Sequence, residues 1–171
     1  MVYNAAMEEN ANKKQKKQRK PQSAMDRALG YLGYRMRTEK EMTDYLTAKQ
    51  YPEEEIAEVM ARLVDYGYID DAAFCKEYLR TKLDRGAVGR RKIRYDLSQK
   101  GITGEIIEAA LMEYDAEGET ENCIALVQKL SQTRGTDQKA KASIQRTLLS
   151  KGFSYDTIRT AMARLKEEDW E

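Results

Sequence analysis

From Ser23 onward apolar residues recur three and four positions apart, with Gly and Pro punctuating the stretches. No stretch alternates long enough to make a strand, so the pattern predicts helix throughout. A first helix over about 23–37 places Met25, Ala28, Leu29 and Leu32 on one face. Thr38 is a good N-cap, and Thr38-x-x-Glu41 reads as a capping box opening a helix over about 39–49. Pro52 stands where a first-turn Pro belongs, Glu53, Glu54 and Glu55 follow at the positive end of a third helix, and Gly67 ends it.

The pattern then repeats with a period of 51 residues. Met42 aligns with Ile93 and Ile144, Leu46 with Leu97 and Leu148, Lys49 with Lys100 and Lys151, and Tyr51 with Ile102 and Phe153. Ile56 aligns with Ile107 and Ile158, Met60 with Leu111 and Met162, and Leu63 with Tyr114 and Leu165. Seven columns keep their character through three copies without a gap. Gly101 and Gly152 follow Lys100 and Lys151, which reads as a helix end with a left-handed Gly and a cation on the negative dipole end. Gln50 takes that place in the first copy, at some conformational cost. Further helices are expected over about 71–83, 89–100, 104–115, 119–133, 138–150 and 155–168. The fold reading is all-α: an elongated tandem array of three three-helix repeats, 23–67, 68–117 and 118–171, behind a flexible basic tail, 1–22. A unit of about 50 residues buries too little surface to be secure alone, so neighbours should dock. Such an array offers a long face rather than one cleft, which favours a long partner.

Charge adds a pattern that the near-zero total conceals. Lys and Arg number 30 against 29 Asp and Glu in 171 residues, a formal net charge of +1. Lys76 to Gly101 holds nine basic residues against three acidic, and Arg134 to Lys151 five against Asp137 alone. Pro52–Asp71 and Glu105–Glu121 reverse this, with seven acidic residues each. The acidic helix starts have a local explanation in the helix dipole. The cations of Gly89-Arg90-Arg91-Lys92-Ile93-Arg94 do not, since the dipole disfavours them there. A binding role for phosphates or an acidic protein surface is therefore weighed evenly against a solvated face. No aromatic-interleaved basic stripe supports a sequence-specific single-strand reader; Tyr95 lies in the cluster and could stack, but core filling is expected of it. The tail, with six cations between Lys13 and Lys20, reads either as solubilising or as an electrostatic arm.

The chemistry of catalysis is thin. There is no His, which removes the commonest general base and every His-containing zinc site. Cys75 and Cys123 form no CxxC and are expected as core thiols rather than a disulfide. Asp70-Asp71 reads as a helix cap, and no Walker-type loop or GxSxG occurs. No apolar run approaches a membrane span or a signal peptide, so a cytoplasmic, monomeric, cofactor-free protein that is not an enzyme is the expectation.

Several stretches resemble the bacterial RecX regulators. They are Tyr31-Leu32-Gly33-Tyr34-Arg35-Met36-Arg37-Thr38-Glu39-Lys40-Glu41-Met42, then Gly67-Tyr68-Ile69-Asp70-Asp71-Ala72-Ala73-Phe74 with Tyr78 and Arg80. Gly89, Ile93, Leu97, Lys100-Gly101-Ile102 and Lys151-Gly152-Phe153-Ser154 continue the resemblance, which spans about 24–166. Thr38 and Met42 depart from the usual Ser and Leu, and the basic tail is outside the family pattern. The resemblance implies tandem three-helix repeats and a non-enzymatic modulator that binds the groove of the RecA recombinase filament and restrains its strand exchange, ATPase and co-protease activities. From charge alone, Arg80, Arg85, Arg90, Arg91, Lys92, Arg94, Lys139, Lys141 and Arg146 are the candidate contacts to recombinase or to single- or double-stranded DNA. The rivals are a general DNA-binding repeat protein acting without a recombinase, an adaptor for another elongated protein, and, weakest, an enzyme.

Overall fold

The computed structural model describes residues 22–168, with side chains through residue 164. Nine helices and no strand occur among the described residues. They are α1 (Ala24–Leu32), α2 (Glu39–Ala48), α3 (Glu53–Asp65), α4 (Asp71–Asp84), α5 (Arg90–Gln99), α6 (Gly104–Leu111), α7 (Ala116–Arg134), α8 (Gln138–Ser150) and α9 (Tyr155–Glu168). The expected basic tail lies outside the described residues except for Gln22. The helices pack in threes, and each trio closes its own core. Ala28, Met42, Leu46, Ile56 and Leu63 centre the first, Phe74, Ile93, Leu97, Ile107 and Leu111 the second, and Val127, Ile144, Leu148, Phe153 and Ile158 the third. Met42, Ile93 and Ile144, one column of the repeat, are all fully buried. Both thiols are free and buried, as expected, Cys75 in the second core and Cys123 in the third. Burial pushes both up, Cys75 to about 11 and Cys123 to about 12.

Three boundaries differ from the sequence reading. The first helix stops at Leu32, not 37, because Gly33 caps it after Gly30 has already weakened the turn; Leu29 faces solvent and Ala24 takes the buried position. The sixth helix ends at Leu111, not 115, and the seventh begins at Ala116, where the Asp115 carboxylate accepts the Gly118 N–H at 2.9 Å. The capping box is half made. Thr38 Oγ1 accepts from the Glu41 N–H at 3.1 Å, but the Glu41 carboxylate is taken by Arg35, at 2.9 and 3.2 Å, and by Lys100, at 2.6 Å.

The units join by one contact used twice. The start of α2 sits on the α5–α6 turn of the next unit, where the Thr38 hydroxyl donates to the Lys100 carbonyl at 2.8 Å. The start of α5, 51 residues on, sits on the α8–α9 turn, where the Gly89 N–H donates to the Lys151 carbonyl at 2.9 Å and Lys151 Nζ reaches the Ala87 carbonyl at 3.3 Å. In both places a carboxylate of the following unit accepts the first N–H of the helix: Asp71 that of Glu39 at 3.0 Å, and Glu119 that of Arg90 at 2.8 Å. These are donors that an α-helix cannot satisfy itself. Asp70 is the cap of its own helix, so the adjacent acid pair is structural on both counts.

The close approach explains the glycines. Gly101 and Gly152 have φ of 82° and 84°, and a Cβ on either would overlap Lys40 or Lys92 of the preceding unit. Gln50, at φ 64°, occupies the same turn in the first unit. Gly152→Ala is therefore expected to cost more than about 2 kcal/mol, and Gln50→Gly to stabilise by about 1 kcal/mol, in urea unfolding. Burial pulls the Glu41 carboxyl up, but the hydrogen bonds from Arg35 and Lys100 outweigh it and leave it below its ordinary value. A lowered carboxyl contributes stability above its unfolded value, and that contribution is lost as pH falls through the native one. Acidification below about pH 4 should weaken wild-type protein more than Glu41→Gln, read as the urea midpoint against pH. That comparison separates Glu41 from Asp71, whose carboxyl burial pushes upward.

Candidate partner-binding face

The nine candidate cations fall into three groups. Arg80, Lys92 and Arg94 are held by acids of their own unit. Arg80 grips Glu77 at 2.7 and 3.0 Å, Lys92 reaches Asp96 at 2.6 Å, and Arg94 meets Glu108 at 2.6 and 3.0 Å. The Glu108 bond raises the Arg94 guanidinium further and holds the Glu108 carboxyl low. Arg90 gives its backbone N–H to Glu119 and is half-buried, its Nε enclosed without a partner. Among the described residues, Arg85, Arg91, Lys139, Lys141 and Arg146 make no ion pair; all are exposed except the half-buried Lys141.

Position separates them again. Arg80 and Arg85 belong to α4 and its C-terminus, where Arg85 lines a hollow of about 700 Å³ with Arg35, Lys82, Lys100, Phe74 and Tyr78. Arg91 and Lys92 line a different hollow, of about 490 Å³, where the second and third units meet; its other walls are Tyr95, Leu149, Ser150, Gly152, Phe153 and Tyr155. Lys141 lines a groove of about 570 Å³ between α8 and α9. The groove and the hollow meet at Leu149 and Tyr155, which line both. Helical spacing puts Arg146 one turn before Ser150 and Lys139 two turns before Arg146, along one flank of α8.

Tyr95 corrects the sequence reading. It is 59% exposed and fills no core, because its column holds Asp44 and Arg146 in the other copies. Tyr155, which the reading passed over, is 71% exposed, and its column holds Glu53 and Gly104. Comparing the polar columns of the repeat would have marked both as surface residues.

Comparison with known proteins fits this architecture unit by unit. The family models for the first, second and third three-helix domains of RecX match residues 24–63, 70–111 and 117–162. The chain belongs to the RecX family. The regulatory protein RecX of Prosthecochloris aestuarii is 32% identical over 142 residues, which are 83% of this chain and 93% of that one. That of Oceanobacillus iheyensis is 32% identical over 150 residues, 84% of this chain and 55% of its own. This family member thus spans about half the length of several RecX relatives it matches. A crystal structure of RecX from Lactobacillus salivarius superposes with a TM-score of 0.76 at 34% identity, covering 84% of this chain and 94% of that one. No helix among the described residues is long and apolar enough to cross a membrane.

Proposed function

We propose that this RecX-family chain binds the RecA recombinase filament and restrains its recombinase, ATPase and co-protease activities, acting by binding rather than by catalysis. The reading is carried by exposed cations that make no ion pair among the described residues, Arg91, Lys139 and Arg146, on serially joined units. A filament presents the same surface again and again, so several weak contacts along a tandem array add as effective concentration rather than as one tight pocket. Cations already neutralised by their own carboxylates, as Arg80 and Arg94 are, have little left for a partner; cations without a counter-charge steer and hold an acidic surface or phosphates.

The test is the DNA-dependent ATPase of RecA with sub-stoichiometric amounts of this protein. Inhibition is expected, and Arg91→Glu/Lys139→Glu/Arg146→Glu should relieve it, with the wild-type effect weakening as salt rises. Arg90 and Lys92 are left intact in that variant because both make internal contacts at the α5 start. An ATPase that wild-type protein leaves unchanged would overturn the recombinase reading, and full inhibition by the variant would remove these cations from it.

A further inference from the structure

We propose that the array is jointed unequally: the first and second units are locked into one body, and the third turns against them about a pivot at the second seam. The two seams can be compared position by position, because they use the same columns of the repeat. At the first, Arg35, Thr38 and Glu41 form a side-chain lock with Lys100. The Thr38 hydroxyl donates to the Lys100 carbonyl at 2.8 Å, and Glu41 accepts from Lys100 Nζ at 2.6 Å and from Arg35 at 2.9 and 3.2 Å. Thr38 is fully buried, and the Glu41 and Lys100 side chains are only 19% and 27% exposed, so salt screens their pairing weakly. The Lys40 side chain lies against Gly101, and Lys100 Nζ sits 5.5 Å from the centre of the Phe74 ring. Turning one unit on the other would break these contacts together.

At the second seam the three locking positions are Gly86, Gly89 and Lys92, and Lys151 stands for Lys100. The hydroxyl is gone, and a second cation replaces the carboxylate. Lys92 turns to Asp96 of its own helix at 2.6 Å, and Lys151 Nζ reaches the Ala87 carbonyl at 3.3 Å; among the described residues Lys151 makes no ion pair. The α5 start has no side-chain cap, whereas Thr38 caps α2. What holds this joint is the Gly89 N–H on the Lys151 carbonyl at 2.9 Å, the Arg90 N–H on Glu119 at 2.8 Å, and Gly89 lying so close to Gly152 that a Cβ on it would fall 2.2 Å from the Gly152 carbonyl. Two glycines in flush contact have no side chains to interlock. Gly86, at φ 134°, precedes them in a conformation that glycine alone adopts freely. Rotations between units are absorbed by a few such residues at element ends, and an interface held mainly by polar contacts leaves relative motion as the expectation. Ala87 packs against the third core and centres the turn, and the hollow of about 490 Å³ beside it gives the start of α9 room to close on α5. The Gly89 and Arg90 bonds stay made throughout, so the joint pivots without opening. The third unit can thus settle on a long partner after the first two are seated, and one array fits surfaces of more than one curvature.

The test is a set of residual dipolar couplings from the full isotope-labelled chain, weakly aligned and without a partner. The amides of α1–α6 should fit one alignment tensor, and those of α7–α9 a separate and smaller one. Lys92→Glu supplies the carboxylate that Lys151 lacks, in a first turn where the helix dipole favours it. It should bring α7–α9 onto the common tensor, with the amide shifts of the three cores unchanged. Glu41→Lys puts the second seam's residue into the first and should split α1–α3 from α4–α6; Lys100→Gln, which removes the bridge without adding a charge, should do the same. A single tensor for all nine helices of the wild-type protein would overturn the proposal, and so would a third unit that stays separately aligned in Lys92→Glu.

Discussion

The structure depends on how the start of each unit's second helix is satisfied. The first amides of an α-helix have no acceptor within the helix, and leaving one buried and unbonded costs about 1–3 kcal/mol. At the starts of α2 and α5 these amides face the next unit, which supplies Asp71 and Glu119 as acceptors. Lys100 and Lys151 sit in the same seam with their carbonyls turned toward the preceding unit. Each unit's core is small, and the seam couples it to its neighbour in the manner of a one-dimensional array. The start of α8 is built differently. Its own Asp137 accepts the Ala140 N–H at 2.7 Å, and among the described residues no carboxylate of another unit is involved.

That seam also determines which side chains are left over. Asp71 and Glu119 are occupied by it with backbone N–H groups, and Glu41 with Arg35 and Lys100, so these acids are unavailable to other cations. Within the second unit, Asp96 and Glu108 bind Lys92 and Arg94. Among the described residues, the candidates left without a counter-ion are Arg85, at the end of α4, and Arg91, Lys139, Lys141 and Arg146, on the helices on either side of the second seam. The surface available to a partner follows from the way the repeats are joined.

The repeat itself was legible because helix spacing and the 51-residue period act on the same columns, and Met42, Ile93 and Ile144 occupy equivalent places in the three cores. Gly101 and Gly152 were read correctly as left-handed, but the larger reason for them, the side chain of a neighbouring unit lying where a Cβ would be, is a tertiary fact. Asp71 and Glu119 looked like ordinary first-turn acids, since nothing local distinguishes a carboxylate that caps its own helix from one that reaches across a seam. The candidate cations were visible as a charge cluster, yet pairing decides which of them is free, and Arg94 with Glu108 is a contact across 14 positions. Tyr95 was misplaced because a lone Tyr among cations has no periodicity; only its column, with Asp44 and Arg146, reveals its face.

The seam is tested most directly by amide hydrogen exchange in the native protein, resolved by NMR. The N–H groups of Glu39, Gly89 and Arg90 lie at helix starts, where exchange is ordinarily fast, but here each is bonded across the seam. They should exchange as slowly as amides inside α2 and α5, and far more slowly than Gln138, the corresponding first amide of α8. Exchange of all three as fast as Gln138 would contradict the account, because the units would then share a chain without sharing a joint.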